Sequence, residues 1–296
     1  MNAPLSLDTV IGAGPWRDAL ARVQGEHPSF TMNFIDIEPI HRAFAPMAQT
    51  QKFAIGEMAI TTAFQALAYD KPLLLLPVTM AARFQHRCLI TSRRAPVTVD
   101  TLRGRRIGVR AYTQTTGVWL RGILQNDYGV PPDSIRWLTQ EGAHLAEYRD
   151  PAWVEAAPAG HSLPDLLRDG AIDAAILGND LPDDPDFVPV IPNPDAAARD
   201  WYAEHGVVPI NHMMVVRRDV ATAHPEAMRE LWPTLHRAKP AATDDIDKAA
   251  IGLTANRAGL AMILDYCTQQ RLLPRALSLD EIFSETATVL GIDVAS

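Results

Sequence analysis

Groups able to hold an anion and to move a proton stand together before a short apolar strand. Segment 83–87 reads Arg-Phe-Gln-His-Arg. An arginine such as Arg83 can hold a carboxylate through two parallel hydrogen bonds, and a histidine such as His86 exchanges a proton near neutral pH. His212, which precedes a second apolar strand, is a further candidate for proton transfer. A solvated turn and a structural histidine explain the same residues, so both interpretations stay open.

Threonine-rich segments stand at the starts of two expected helices. Thr61 and Thr62 follow one strand, and Thr113, Thr115 and Thr116 follow another. The first N–H groups of an α-helix have no partner within the helix, and the helix dipole is positive there, so a helix start favours a carboxylate. The sequence predicts one such anion-binding start in each of two domains, facing one cleft. Ordinary N-capping by threonine is the alternative.

Motifs for cofactors and metals are weak. Segment 12–17 reads Gly-Ala-Gly-Pro-Trp-Arg after a strand, but Arg17 stands where the dinucleotide fingerprint needs a third glycine. A tight strand-to-helix turn explains the two glycines as well. The sequence contains no Walker loop, no Gly-x-Ser-x-Gly elbow and no His-Glu-x-x-His segment. We therefore predict that the protein needs no cofactor and holds no metal.

Strands alternate with helices along most of the chain, which favours βαβ units and mainly parallel sheets. Two proline-containing segments, 92–96 and 207–210, flank the middle of the chain. If both are crossovers, residues 95–208 form a lobe that is inserted into another lobe, made of residues 1–94 and 209–296. A cleft between two lobes is a favoured place for a ligand.

Composition restricts the partners that this chain can have. Its 296 residues are about twice the usual domain length of roughly 150. A formal net charge of −8 gives no general attraction for nucleic acid or an anionic membrane, so neither is expected as a partner. The N-terminus lacks the pattern of a secretory leader, and the two cysteines, Cys88 and Cys267, are typical of buried reduced thiols. We expect a cytoplasmic protein.

Several segments, in order along the chain, carry a family resemblance. They are Gly56-Glu57-Met58-Ala59, Pro77-Val78 followed by Arg83-Phe84-Gln85-His86, Gly104-Arg105-Arg106-Ile107-Gly108-Val109 with Tyr112, Trp119-Leu120-Arg121-Gly122-Ile123-Leu124, Asp127-Tyr128-Gly129-Val130, Ile135-Arg136-Trp137 and His212-Met213-Met214-Val215-Val216-Arg217-Arg218. Together they resemble the 4,5-dihydroxyphthalate decarboxylase family. The resemblance implies an α/β fold similar to the type 2 periplasmic binding proteins, with a discontinuous first lobe, an inserted second lobe and a cleft between the lobes.

The resemblance also implies an activity. It predicts a non-oxidative, cofactor-independent decarboxylase that acts on a hydroxylated aromatic carboxylate similar to 4,5-dihydroxyphthalate. For proton transfer we expect His86 first, followed by His212 and Glu57. Segment 110–112, Arg-Ala-Tyr, adds a cation to the proposed cleft. The residues expected to bind the substrate are Thr61, Thr62, Arg83, Arg110, Tyr112, Thr113, Thr115 and Thr116.

Two other functions fit the same fold. A solute-binding protein of the ABC-transporter type would hold an aromatic or other small organic acid without changing it. Another cytosolic enzyme of this fold, such as those of the futalosine route to menaquinone, is a third interpretation. All three predict a small anionic ligand, which is aromatic in the first, and the resemblance makes a homo-oligomer plausible.

Overall fold

The computed structural model describes residues 4–23, 29–178, 181–242 and 245–292. The strands of these residues are β1 (Leu5–Val10), β2 (Phe30–Phe34), β3 (Ile55–Ala59), β4 (Leu73–Ala82), β5 (Leu89–Ser92), β6 (Arg106–Val109), β7 (Arg136–Thr139), β8 (Val154–Ala156), β9 (Ala174–Ile176), β10 (Phe187–Pro189) and β11 (Ile210–Arg217). The α-helices are α1 (Pro15–Val23), α2 (Phe44–Thr50), α3 (Ile60–Ala68), α4 (Thr115–Asn126), α5 (Leu163–Arg168), α6 (Pro194–His205), α7 (Arg218–Ala223), α8 (Pro225–Ala238), α9 (Leu253–Gln269) and α10 (Leu279–Leu290). Within these ranges, every helix is too short or too polar to cross a membrane.

The described residues pack into two units, and the chain contributes separate segments to each. The first unit contains Met1–Arg83, Ile210–Ala261 and Leu273–Ser296, and the second contains Phe84–Pro209 and Met262–Leu272, in each case over the described residues. Each unit has its own sheet. The predicted fold class, an α/β chain whose first lobe is discontinuous, is confirmed.

The boundaries of the units differ from those expected at the first crossing. Segment 92–96 was expected to be a crossover, but β5 pairs antiparallel with β9 and β10 of the second unit. The N–H of Arg93 donates to the carbonyl of Asp186 at 2.7 Å, which continues this pairing. Residues 84–94 therefore lie in the second unit, and so do residues 262–272, which begin inside α9.

The sheet of the first unit has the strand order β2-β1-β3-β11-β4. β1, β2 and β3 are parallel, whereas β11 runs antiparallel to both β3 and β4. All five residues of β3 are buried, and four of them are apolar or glycine, as expected for a strand covered on both faces. The exception is Glu57, a carboxylate that needs hydrogen-bond donors in such a position.

The sheet of the second unit has the strand order β10-β5-β9-β6-β7-β8. β9, β6, β7 and β8 are parallel neighbours. Beside this sheet α4 is unusually enclosed, since ten of its twelve residues are buried. Among these ten are Gly117, Gly122 and the charged residue Arg121, so close packing and a buried charge meet on one helix.

Gly122 provides a test of this packing. A Cβ atom added to Gly122 would lie 1.9 Å from Cδ2 of Tyr266, so the ring or the helix would have to move. We expect Gly122→Ala to lower the free energy of unfolding by about 2–3 kcal/mol, measured by urea denaturation. The control is Gly142→Ala, where no heavy atom lies within 4 Å of the added carbon. Similar losses in both variants would contradict this packing.

Candidate active site

Glu57 and His212 are brought together by the pairing of β3 with β11. In this register Met214 lies opposite Glu57, and His212 lies opposite Ala59. Successive side chains of a strand point to opposite faces, so Glu57 and His212 are diagonal neighbours on one face of the sheet. The pairing therefore joins two residues that are 155 positions apart in the sequence.

The carboxylate of Glu57 has a partner at each oxygen. Oε1 lies 2.6 Å from Nδ1 of His212, and Oε2 accepts a hydrogen bond of 2.9 Å from the N–H of Gly12. Burial by itself would raise the pKa of Glu57. The hydrogen bond and charge of His212, together with the Gly12 N–H, outweigh burial and lower the pKa below its ordinary value. Glu57 is therefore ionised at neutral pH.

An ionised Glu57 determines where His212 carries its hydrogen. A carboxylate can only accept hydrogen bonds, so Nδ1 of His212 bears the hydrogen that lies between them. Nε2 is then the atom that gains or loses a proton. The His212 side chain is 24% exposed, and within the described part of the chain Nε2 has no hydrogen-bond partner. The ring of Phe44 packs edge-on against the imidazole, with 5.0 Å between centroids, and restricts its rotation.

Helix α3 begins directly after β3, beside this pair. Because His212 lies opposite Ala59, the last residue of β3, it is next to the start of the helix, where the dipole favours an anion. Thr61 and Thr62 lie in the first turn, as predicted, and both are buried. Arg83 also belongs to the first unit and is partly buried, one residue beyond the end of β4. The contact of these three residues with a ligand stays a prediction.

His86 has a different environment, in the second unit. It is 1% exposed, and its ring lies edge-on to Trp201 with 6.0 Å between centroids. Neither ring nitrogen has a hydrogen-bond partner among the described residues. Burial lowers the pKa of His86, and the charge of Asp127 opposes this only in part. The imidazole is therefore neutral at pH 7, and its predicted role in proton transfer stays a prediction.

The remaining predicted binding residues lie in the second unit, around the start of α4. Arg110 follows β6, and its Nη1 atom lies 3.9 Å from Oε2 of Glu141. The buried Tyr112 accepts a hydrogen bond of 3.0 Å from Nε1 of Trp153 through its hydroxyl. The three threonines at the helix start are buried: Thr113, Thr115 and Thr116. Their role in binding an anion also stays a prediction.

Two residues of the Glu57–His212 site were not expected from the sequence. In the sequence a tight turn is enough to explain Gly12, and no motif singles out Phe44. A Cβ atom at Gly12 would lie 3.3 Å from Oε2 of Glu57, so glycine allows its N–H to approach the carboxylate closely. No local pattern indicates a partner 45 positions away.

Across the described ranges, no group of three or more histidine, cysteine or acidic side chains is placed to hold a metal ion.

Comparison with known proteins supports the resemblance found in the sequence. No protein-family model matches the chain. It is 29% identical over 232 residues to a 4,5-dihydroxyphthalate decarboxylase of Comamonas testosteroni, covering 71% of this chain and 66% of that protein. It is 27% identical over 217 residues to one of Pseudomonas putida, covering 68% and 81%. The match thus spans slightly less than two thirds of the first relative's length. The predicted similarity to this family is confirmed.

Among solved structures, similar ones include sulfonate-binding proteins. The alkanesulfonate-binding protein SsuA from Xanthomonas axonopodis pv. citri, bound to MOPS, aligns with 97% of this chain and 92% of its own at 15% identity, with a TM-score of 0.49. SsuA from Escherichia coli aligns with 97% and 84% at 12% identity, with a TM-score of 0.48. TM-scores below 0.5 do not establish a common fold. The description of this fold therefore rests on the strand order and connectivity of the chain itself.

The lowered pKa of Glu57 predicts a pH-dependent contribution to stability. A carboxyl group whose pKa is lower in the folded state stabilises the fold above its ordinary pKa of 4.5, and this stabilisation disappears as the pH falls through the lowered value. We expect the difference in unfolding free energy between wild type and Glu57→Gln to be constant near neutral pH and to shrink below about pH 4.5. Denaturant titrations at a series of pH values measure it.

The control for this experiment is Glu204→Gln, which removes an exposed carboxylate from α6. The free energy of unfolding of this variant should differ little from that of wild type at neutral pH. A Glu57→Gln difference that stays constant, or grows, as the solution becomes acidic would show that Glu57 is not held as an ion by His212 and Gly12.

Proposed function

We propose that this relative of the 4,5-dihydroxyphthalate decarboxylases is itself a decarboxylase of a hydroxylated aromatic carboxylate, and that it works without a cofactor. The observation that carries the proposal is the Glu57–His212 pair, with 2.6 Å between Oε1 and Nδ1 and a His212 side chain that is partly exposed. The similarity to two curated decarboxylases supports the choice of reaction.

The reaction requires a proton at a ring carbon, and His212 is suited to deliver it. Glu57 fixes the hydrogen of the imidazole at Nδ1, so the proton that His212 delivers is carried on Nε2. Phe44 holds the ring in this orientation. Glu57 acts as a positioning residue, because both of its oxygens are engaged by His212 and Gly12.

Each carboxylate of 4,5-dihydroxyphthalate lies para to a hydroxyl group, which donates electrons to the carbon that bears the carboxylate. The proton on Nε2 of His212 forms a new C–H bond at this carbon. The bond from the ring to the carboxylate then breaks, its electron pair restores the aromatic ring, and carbon dioxide leaves. His212 recovers its proton from water, so one substrate anion and one proton give one arene and one carbon dioxide.

The start of α3 is the proposed contact for a carboxylate in the first unit. It adjoins His212, and its dipole attracts an anion to the place where the proton is delivered. Arg83 is the proposed second contact, since a guanidinium can hold a carboxylate in a fixed orientation. Thr61 and Thr62 belong to the same helix start.

His212 replaces His86 as the first candidate for the proton donor. A donor must carry a proton at working pH and reach its substrate. His86 is 1% exposed, and burial lowers its pKa, so its imidazole is neutral and enclosed. His212 is accessible and has a carboxylate partner, and these are the two properties that the reaction needs.

The activity is tested with purified protein and 4,5-dihydroxyphthalate in D₂O. We expect one carbon dioxide for each substrate consumed, and one deuterium in the product at the carbon that lost its carboxylate. A series of hydroxybenzoates tests the range of substrates. Tight binding of these acids without release of carbon dioxide would contradict the proposal and favour a solute-binding protein.

His212→Ala should lower kcat by about 10²–10⁴-fold, because general acid catalysis contributes this much. His86→Ala tests the other histidine, and a comparable loss of kcat in that variant alone would transfer the role to His86. His161→Ala, at an exposed position, is the control. Full turnover in His212→Ala would exclude His212 as the proton donor. Turnover is followed by carbon dioxide release.

Arg83→Ala should raise KM by about tenfold or more with a smaller change in kcat, because a charged hydrogen bond to the substrate is lost. Arg87→Ala is the matched control, since Arg87 lies in the same segment and is exposed. Saturation curves that coincide for wild type and Arg83→Ala would remove Arg83 from the binding site.

The proposed location of this activity is the cytoplasm. Both cysteines are buried thiols, which supports a reducing compartment such as the cytoplasm. Subcellular fractionation tests this location, and light scattering tests the proposed self-association. A small anionic aromatic ligand is the proposed partner.

A further inference from the structure

Arg121 is a charged side chain in the interior of the second unit. It lies on α4 and is 0% exposed. Side chains of a helix lean toward its N-terminus, and Arg121 follows this rule, since its guanidinium lies beside Gly117, in the first turn. A Cβ atom at Gly117 would come within 2.9 Å of Nη1. The absence of a side chain at Gly117 therefore makes room for the positive charge under the start of α4.

Three groups hold the guanidinium in this position. Nη2 donates to the carbonyl of Tyr112, just before the helix. Nε donates to Oε1 of Gln270 at 2.7 Å, and Nε2 of Gln270 donates in turn to the carbonyl of Val118 at 2.8 Å. Cζ lies 3.9 Å from the centroid of the Tyr112 ring and 5.1 Å from that of Trp137. The orientation of Arg121 is thus fixed by the backbone, an amide and two aromatic rings.

These contacts do not neutralise the charge. Among the described residues Arg121 forms no ion pair with a carboxylate, and its buried Nη1 atom has no hydrogen-bond partner. A buried and unpaired charge is costly, and an apolar side chain of similar size commonly gives a more stable fold. Stability of the interior therefore does not account for an arginine at this position.

We propose that Arg121 is a positioning and specificity-determining residue, which maintains a positive charge beneath the start of α4 so that this helix start binds an anionic group of the substrate. Two sources of positive potential coincide there: the guanidinium and the N-terminal end of a twelve-residue helix. The role in substrate binding rests on the proposed function. This role of Arg121 identifies the preferred substrates as dianions, with one anionic group at the start of α4.

The experiment compares wild type with Arg121→Lys, which keeps the charge, and Arg121→Met, which keeps the length without the charge. The control is Arg136→Met, at an exposed position on β7. The probes are phthalate, a dianion, and phthalamide, a neutral molecule of similar shape. Titration calorimetry measures both affinities, and kcat and KM are measured with 4,5-dihydroxyphthalate.

We expect Arg121→Met to weaken phthalate binding by about tenfold or more, because a charge near the ligand is lost in a medium of low dielectric. Phthalamide binding should change by less than about twofold, and Arg121→Lys should keep most of the phthalate affinity. KM should rise more than kcat falls. A thermal melt identifies any loss of folding, and if Arg121→Met does not fold, Arg121→Gln replaces it.

Equal losses for phthalate and phthalamide would overturn the proposal, since they indicate a purely structural role. Equal affinities of Arg121→Lys and Arg121→Met for phthalate would overturn it too, as would wild type that does not bind phthalate. Charge-dependent phthalate binding without release of carbon dioxide would support the role of Arg121 in binding an anion. It would contradict only the proposed decarboxylase activity.

Discussion

A carboxylate in the middle of a wholly buried strand is the constraint on which the first unit depends. Glu57 requires two donors, and it obtains them from segments far apart in the chain: the backbone of Gly12 and the ring of His212. Gly12 reaches it because β1 runs parallel to β3 and ends at Val10, opposite Gly56 and therefore beside Glu57. His212 reaches it because β11 lies between β3 and β4. The strand order and the candidate chemistry are therefore linked through one side chain.

The buried carboxylate of Glu57 and the buried nitrogen atoms of His86 and Arg121 differ in their hydrogen bonding. In the first unit each oxygen of the buried Glu57 carboxylate has a hydrogen-bond partner, and one of these partners is the partly exposed His212. In the second unit His86 and Arg121 have nitrogen atoms without partners among the described residues. Buried polar groups with hydrogen-bond partners are held rigidly. A buried charge without such a partner can still interact with a charged ligand. Proton transfer needs the first property, and attraction of a charged ligand benefits from the second.

Part of this arrangement could be predicted from the sequence. Alternating strands and helices indicated the α/β class, and Glu57 and His212 were each identified as possible acid–base residues. Their pairing could not be predicted, because it depends on the register of two strands that residues 60–209 separate in the sequence. The same limit applies to Gly12, because a tight turn explains this glycine equally well and its contact with Glu57 depends on packing across the sheet. The choice between His86 and His212 also depends on the burial of each side chain, which long-range packing determines.

The unit boundaries illustrate a second limit. Proline in segment 92–96 indicated a break in regular structure, which is correct locally, but the strand partners of β5 decide the unit to which this segment belongs. Arg121 likewise stood within the segment that carries the family resemblance, with no indication that it is buried. Residue type limits which roles are possible, and only long-range packing selects among them.

The place of β11 in the first sheet has a consequence for synthesis on the ribosome. β3 and β4 leave the exit tunnel early, but the strand that joins them follows only after Phe84–Pro209 has been translated. Until then the edges of β3 and β4 that β11 later covers are open, and open edges recruit other chains. Glu57 is at the same time without its histidine. The rate of elongation through the second unit and the shielding of these edges by chaperones therefore influence how much native protein a cell obtains.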